Sequence, residues 1–348
     1  MSRVAAALVL FAVLVPAGSA GARAPAPSSR SVTLEWVGDI ALSAQRGLPP
    51  GGVTGALRPV RRTLRDADLT LGNLEGTLST GGRSKCAALI GNCFAFQAPP
   101  ALARPLRAAG FDLLNQANNH ALDFGPSRRD QTRRTLRTAG IATTGAPGQI
   151  TILRAHGVRI AVVGFAPYPY AADLLDIPAA QALVRRARRR APLVAVIIHA
   201  GAEGAAALHT PYGSESFAGE NRGDPRAFAH AVIRAGAAVV LGSGPHVIRG
   251  VERYRGRLIA YSLGNFLGYH TLQDGGVLSD SAILRVTLDL RGRVLAGRWI
   301  PLRLIDGLPR PDPRDASAHL VAALSRQDFP RDHFDIGPTG GLRPAVHP

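Results

Sequence analysis

Polar side chains that could bind a metal ion follow several short apolar segments of this sequence. They are Asp39, Glu75, the triplet at 118–120, His199 and His246. Carboxylate, amide and imidazole groups suit manganese, iron, zinc or magnesium, and no cysteine joins them. Each residue taken alone has a structural explanation, such as a helix cap for Asp39 or a turn for Asn118. Helix caps and turns do not explain all of these groups at successive strand ends, so together they predict a metal-dependent site.

The elements that position these residues are apolar strands alternating with amphipathic helices. Segments 158–165 and 193–198 are continuous apolar runs, typical of strands covered on both faces, whereas 53–67 has helical spacing with exposed arginines. Because functional groups in α/β folds gather at the carboxyl ends of strands, we expect the polar groups to meet at one edge. The pattern predicts a single α/β domain over residues 31–305, followed by a proline-rich extension at 306–348 with one helix.

Residues 1–24 have the layout of an export signal. Arg3 gives a basic start, residues 5–15 form an apolar core, and small residues follow the break at Pro16. The core is short for a membrane span, so we expect cleavage, a linker at 25–30, and a mature protein outside the cell or at its envelope. Retention of the segment as an N-terminal membrane anchor is the alternative.

Cys86 and Cys93 are the only cysteines of the sequence and lie in a loop flanked by glycine and serine. In an oxidising compartment a local disulfide is expected. Closing so short a loop stabilises a fold by about 2.5 kcal/mol if the effect is chain entropy. The alternative, a thiolate metal site, lacks a nearby cysteine or histidine to complete it.

The sequence contains 41 basic and 24 acidic residues, a formal net charge of +17. Lys85 is the single lysine, and the arginines are scattered apart from a run within 185–190. No zinc finger, RNA-recognition aromatics or basic zipper accompanies them, so the sequence does not predict specific nucleic-acid binding. The run is typical of the exposed C-terminal turn of a helix, and the overall charge would attract anionic polymers.

Six short motifs occur in order along the chain. The two most specific are Asn-Asn-His-Ala-Leu-Asp-Phe-Gly at 118–125 and Tyr-Ser-Leu-Gly-Asn-Phe at 261–266. The others are Gly-Asp-Ile at 38–40, Asn-Leu-Glu at 73–75, Ile-His-Ala-Gly-Ala-Glu at 198–203 and Gly-Pro-His-Val at 244–247. Together they resemble the CapA family of poly-γ-glutamate capsule-synthesis proteins, within the calcineurin-like metallophosphoesterase superfamily. The resemblance implies a metallophosphoesterase-like two-sheet α/β sandwich flanked by helices.

The resemblance further implies a metal centre beside a catalytic imidazole. One or two divalent ions, with manganese, iron or zinc expected, would be bound by Asp39, Glu75, Asn119, His199 and His246. Two cations could polarise a phosphoryl or acyl oxygen and lower the pKa of the attacking water. His120 would stabilise the transition state or protonate the leaving group.

Other residues of the motifs are expected to support this centre or to contact the substrate. Asp123, Glu203 and Asn265 would brace it through hydrogen bonds. We expect Asn118 to contact substrate. Arg249 would either hold a phosphate or carboxylate oxygen or lie on the surface at the start of a hairpin.

Two departures, one from the superfamily pattern and one from the family pattern, bear on metal binding. Ala41 stands where the superfamily has the histidine of Asp-x-His, and Gly244 stands where the family commonly has the first histidine of His-Pro-His. The second ion therefore lacks an imidazole ligand, and we expect it to be held weakly or not at all.

These features predict two alternative functions. The first is an exported metal-dependent hydrolase acting on a phosphoester or amide bond in a cell-surface polymer of capsule or poly-γ-glutamate type. The alternative is a non-catalytic protein with a degenerate metal site that binds or assembles an anionic polymer or its precursor. Either protein would work with membrane-bound capsule-synthesis machinery. The sequence favours the hydrolase.

Overall fold

The computed structural model describes Met1 and residues 31–88 and 93–345. The export signal predicted at 1–24 and the linker at 25–30 therefore lie outside the described residues, apart from Met1. The described strands are β1 (Ser31–Ile40), β2 (Leu69–Leu74), β3 (Thr77–Leu78), β4 (Gln97–Ala98), β5 (Phe111–Asn115), β6 (Ala142–Thr144), β7 (Thr151–Ala155), β8 (Val158–Ala166), β9 (Ala172–Asp173), β10 (Leu193–His199), β11 (Glu215–Phe217), β12 (Glu220–Gly223), β13 (Val239–Ser243), β14 (Val251–Tyr254), β15 (Arg257–Ala260), β16 (Asn265–Leu267), β17 (Asp280–Asp289), β18 (Val294–Ile305), β19 (Leu308–Pro311), β20 (Phe334–Ile336) and β21 (Gly341–Pro344).

The described α-helices are α1 (Gly52–Leu57), α2 (Ala103–Ala109), α3 (Pro126–Thr138), α4 (Ile177–Arg190), α5 (Pro225–Arg234) and α6 (Ala316–Asp328). Short 3-10 helices occur at Thr63–Arg65, Lys85–Ala88, Pro100–Leu102 and Gly276–Ser279. Among the described residues, no helix is both long enough and apolar enough to cross a membrane.

Two large sheets form the body of the protein. In the described residues the first has ten strands in the order β20-β21-β18-β17-β1-β2-β5-β6, with β16 beside β1 and β19 beside β18. The second has seven, in the order β14-β15-β13-β10-β8-β7, with β9 beside β8. Strands β1, β2, β5 and β6 of the first sheet run parallel, as do β8, β10 and β13 of the second, and α2, α3, α4 and α5 lie in the connections between them. This arrangement confirms the predicted two-sheet α/β fold.

The main apolar core lies between the two sheets. Trp36 of β1 is fully buried in it, and its Nε1 donates a 3.0 Å hydrogen bond to the carbonyl oxygen of Gly242 on β13. The next residue, Val37, points to the opposite face, where it packs with Leu57 and Leu106 from α1 and α2. Helices α4 and α5 cover the outer face of the second sheet. Both faces of the central strands are covered, which explains their continuous apolar sequences.

Three predicted local features have different outcomes. Cys86 and Cys93 form the expected disulfide, with Cα atoms 5.6 Å apart. The arginine run is the exposed C-terminal turn of α4, as predicted. The single helix predicted at 53–67 is wrong, because α1 ends at Leu57 and turns follow. Pro59 lacks a backbone N–H and cannot continue the hydrogen bonds of the helix, so the helix stops there.

The segment after residue 305 belongs to the first sheet. Strands β19 and β21 pair with β18, and β20 pairs with β21. The predicted helix is present as α6 and packs on β18 and β20. The three added strands were not predicted from the proline-rich sequence.

Candidate metal centre

Polar residues lie in a row across the carboxyl ends of three parallel strands in the first sheet. The register pairs Asp39 on β1 with Asn73 on β2, and Asn73 with Asn115 on β5. Asn73 Nδ2 donates to Asp39 Oδ1 at 2.8 Å, and Asn115 Nδ2 donates to Asn73 Oδ1 at 2.9 Å. These bonds orient the Asp39 carboxylate, and Glu75 follows directly at the end of β2.

The second sheet places two histidines opposite this row. His199 ends β10, and His246 lies in the loop after β13. His246 has a φ of 61°, a left-handed conformation that few non-glycine residues adopt and that is common at functional sites. Its Nδ1 donates to Asn265 Oδ1 at 2.8 Å and lies 3.2 Å from Asp39 Oδ2. Its Nε2 is therefore the atom left to bind a ligand.

Four side chains converge between the two sheets. One ligand atom each from Asp39, Glu75 and His246 lies within 4.8 Å of the others. His199 joins them, with Nε2 at 3.5 Å from Glu75 Oε1 and Nδ1 at 3.8 Å from Asp39 Oδ1. Two carboxylates and two imidazoles form a ligand set that suits a divalent transition metal.

Several buried polar atoms of this centre lack hydrogen-bond partners among the described residues, and they show whether a cation would fit. Glu75 is fully buried, and neither carboxylate oxygen accepts a hydrogen bond from the described part of the chain. Within the same residues, His199 Nε2 and Asn119 Oδ1 are also buried without a partner. A buried polar atom without a hydrogen-bond partner lowers the free energy of unfolding by about 1–3 kcal/mol. The residues therefore fit a divalent cation, which would supply the missing positive charge.

Burial and neighbouring charges set the protonation of the metal-free centre. Burial and the Asp39 charge raise the pKa of Glu75 well above its ordinary value. Burial opposes protonation of His246, but the carboxylates of Glu75 and Asp39 outweigh it and raise the pKa of His246 to about 10. Burial lowers the pKa of His199 well below its usual value, which favours the neutral imidazole that binds metals. A metal ion would compete with the proton on His246.

His120 lies at the edge of the centre and is oriented by Asp123. Its Nδ1 donates to Asp123 Oδ2 at 2.8 Å, and the backbone N–H of Phe96 donates to the same oxygen at 2.7 Å. The other oxygen, Asp123 Oδ1, lies 2.7 Å from Lys85 Nζ. Burial lowers the pKa of His120 although Asp123 opposes the shift, so the imidazole is neutral with Nε2 unprotonated.

A cleft of about 490 Å³ opens beside the centre. His120, His246, Glu203 and Asn265 form part of its wall. The remaining wall is largely apolar and includes Phe94, Phe96, Phe217, Leu272, Leu278 and the cation Arg46. A volume of this size admits a small molecule or a monomer-sized part of a polymer next to the candidate metal ligands.

The residues predicted to brace the centre are in contact with it. Asp123 and Asn265 make the bonds to His120 and His246 described above. Glu203 Oε2 lies 3.6 Å from His246 Nε2. Asp123 and Asn265 are thus placed to orient an imidazole, whereas Glu203 lies beside the nitrogen of His246 that is left to bind a ligand.

Asn118, predicted to contact substrate, and Arg249, predicted either to do so or to lie on the surface, are both buried. Asn118 is fully buried, its Nδ2 donates to Asn73 Oδ1 at 3.1 Å, and its Oδ1 accepts from the backbone N–H of His120. Arg249 is 1% exposed, and its guanidinium donates two 2.7 Å hydrogen bonds to Glu215. Both side chains hold loops together, and neither lines the cleft.

Two residues of the centre were missed from the sequence. Asn73 orients Asp39, and its position two residues before Glu75 in the same motif was an available signal. Arg222 is 1% exposed, and its Nη1 lies 2.6 Å from Glu203 Oε1. Nothing in the sequence distinguishes Arg222 from the other arginines.

The sequence matches the family described as bacterial capsule synthesis protein PGA_cap over residues 33–270, and the chain belongs to this family. It is 26% identical over 296 residues to the capsule biosynthesis protein CapA of Bacillus anthracis, covering 81% of this chain and 70% of that protein. It is 26% identical over 311 residues to the PGA biosynthesis protein CapA of Bacillus subtilis strain 168, covering 82% and 75%. The resemblance carried by the six motifs is confirmed.

Two solved structures are more distantly similar. A 5′-nucleotidase precursor from Thermus thermophilus has a TM-score of 0.44 at 16% identity, covering 86% of this chain and 59% of that one. The purple acid phosphatase PPD1 of yellow lupin has a TM-score of 0.38 at 10% identity, covering 81% and 53%.

Proposed function

We propose that this protein is a metal-dependent hydrolase that cleaves a phosphoester or amide bond in an anionic cell-surface polymer. The observation that carries the proposal is the Glu75 carboxylate. It is fully buried, accepts no hydrogen bond from the described residues, and lies among Asp39, His199 and His246. A group so placed needs a cation, and the cation would lie beside a cleft open to substrate.

The roles of the protein side chains follow from their contacts. Asp39, Glu75, His199 and His246 would hold the ion, with Asn119 offering a further oxygen. When bound, a divalent cation would polarise a phosphoryl or acyl oxygen and lower the pKa of an attacking water.

His120 would move the proton of this reaction. Its Nδ1–H is bonded to Asp123, so Nε2 is the atom that accepts a proton at the cleft. The Asp123 carboxylate stabilises the imidazolium that forms, and the same Nε2 then protonates the leaving oxygen or nitrogen.

Family membership and charge support the substrate class. The relatives are named for capsule and PGA biosynthesis, and the formal net charge of this chain is +17. A basic protein attracts an anionic polymer such as poly-γ-glutamate or its precursor. The export signal predicted from the sequence would place the reaction at the cell envelope, next to membrane-bound capsule-synthesis machinery.

Metal content and turnover test the proposal together. The full chain is purified, supplied with manganese or zinc, desalted and submitted to elemental analysis beside a His246→Ala variant. Formation of new amine ends on poly-γ-glutamate, and of new phosphomonoester ends on phosphodiester polymers, is then followed with and without chelator. Metal bound by the wild type, lost in the variant, and chelator-sensitive formation of new ends support a hydrolase. A chain that binds no ion contradicts it.

The second candidate, non-catalytic polymer binding, is favoured by one observation. Gly244 has a φ of 113°, and a Cβ there would lie 2.9 Å from the backbone nitrogen of Ala200, so this position accepts no imidazole. A binding protein with this incomplete site would retain poly-γ-glutamate in a salt-sensitive way, and an Asp39→Asn variant would retain it equally well.

A further inference from the structure

A buried arginine lies next to Gly244, the position at which a histidine ligand is missing. Arg222 is 1% exposed, its Nη1 pairs with Glu203 Oε1 at 2.6 Å, and the same nitrogen donates to the Tyr168 hydroxyl at 3.1 Å. Its Nε and Nη2 are buried and have no hydrogen-bond partner within the described ranges. Unpaired buried donors are costly, so a guanidinium kept in this state indicates a function for its charge.

Gly244 is the point at which this guanidinium approaches the centre. A Cβ built on Gly244 would lie 3.4 Å from Arg222 Nη2. The backbone nitrogen of Gly244 donates to Asp39 Oδ2 at 3.3 Å, and the preceding residue, Ser243, pairs with His199 across the sheet. The guanidinium therefore lies in van der Waals contact with the position of a side chain at 244, next to the backbone of Ala200.

We propose that Arg222 takes the place of a second cation, so that the centre binds a single divalent ion next to a fixed guanidinium charge. This inference rests on the metal centre of the proposed function. Arg222 also binds Glu203, which is thereby withheld from a second ion. A fixed guanidinium charge beside this position opposes the binding of a second divalent ion, because like charges repel strongly where water is excluded.

The experiment measures how many ions each chain binds. Metal-depleted full chain is titrated with Mn²⁺, and bound ions are counted by competition with a chelating dye. Electron paramagnetic resonance separates isolated from spin-coupled Mn²⁺. We expect one ion per wild-type chain with an isolated signal. Arg222→Met removes the charge at similar length and should admit a second, coupled ion, whereas Arg222→Lys keeps the charge and should bind one.

Arg249→Met is the matched control, because Arg249 is an equally buried arginine paired to a carboxylate. It should still bind one ion. Two ions in the wild type, or one ion in a folded Arg222→Met variant, would overturn the inference and leave the proposed centre intact. Absence of any bound ion would overturn the proposed function as well. If Arg222→Met does not fold, the number of ions bound by the wild type and by Arg222→Lys tests the proposal. Two bound ions in either protein would contradict it.

Discussion

Glu75→Gln is expected to stabilise the metal-free protein and to abolish its stabilisation by metal. The wild-type carboxylate is fully buried and accepts no hydrogen bond from the described residues, and burial with the Asp39 charge raises its pKa. Glutamine has the same shape without the charge, so the substitution removes the repulsion between two buried carboxylates, Asp39 and Glu75. The same substitution removes the ligand that lies between Asp39 and the two histidines.

The size of the metal effect follows from linkage. An ion that binds only the native state at a hundredfold its Kd stabilises it by about 2.7 kcal/mol. For a folded region of about 300 residues, an unfolding entropy of about 2.1 cal/mol/K per residue converts this into a Tm rise of about 4 °C. The wild type should show this rise, and Glu75→Gln should not.

Thermal unfolding followed by circular dichroism, with chelator and with Mn²⁺, measures both effects. Glu215→Gln is the matched control, because Glu215 is also buried but is paired with Arg249. It should lower Tm in both conditions and keep the metal-induced rise. A metal-free Glu75→Gln variant that unfolds several degrees below wild type, or that keeps the full metal-induced rise, would refute the reasoning.

Three further predictions concern catalysis and stability. His120→Gln should reduce turnover by about 10²–10⁴-fold with unchanged metal content, measured by polymer cleavage and elemental analysis. Burial raises the pKa of Glu35 from 4.5 to about 7 although Arg285 opposes the shift. The native state therefore holds this proton more tightly than the unfolded chain, and about 3 kcal/mol of stability, complete below pH ~4.5, is lost as pH rises through ~7. Glu35→Gln should flatten this dependence in urea unfolding at several pH values. Replacing both Cys86 and Cys93 by serine should lower the free energy of unfolding by about 2.5 kcal/mol in the same assay.

The convergence of the metal ligands was predictable from strand ends. Asp39 and Glu75 lie at the ends of parallel strands of the first sheet, and His199 ends a parallel strand of the second. Parallel strands of one sheet bring their carboxyl ends to one edge, so each half of the centre was predictable separately. The apolar runs at 158–165 and 193–198 likewise indicated strands covered on both faces, which the two-sheet core requires.

The orientation of neighbouring side chains was not predictable in the same way. Asn118 and Asn119 are adjacent and chemically identical. The side-chain amide of Asn118 donates to Asn73, whereas the side-chain oxygen of Asn119 is buried and has no hydrogen-bond partner among the described residues. Arg249 and Arg222 are both buried arginines. Only their tertiary contacts show that Arg249 binds Glu215 and holds loops together, whereas Arg222 binds Glu203 beside the centre. Such differences depend on packing between distant segments, which residue type and spacing do not encode locally.

The division of the centre between two sheets has a consequence for kinetic stability. Asp39 and Glu75 come from one sheet and His199 and His246 from the other, and Asp39 meets Gly244 across 205 positions of sequence. Full metal affinity therefore requires both sheets to have closed on each other. Contacts completed this late in folding slow unfolding more than they speed folding. A bound ion would thus act mainly on the lifetime of the folded protein, and proteolysis that separates the sheets would release the metal before either sheet unfolds.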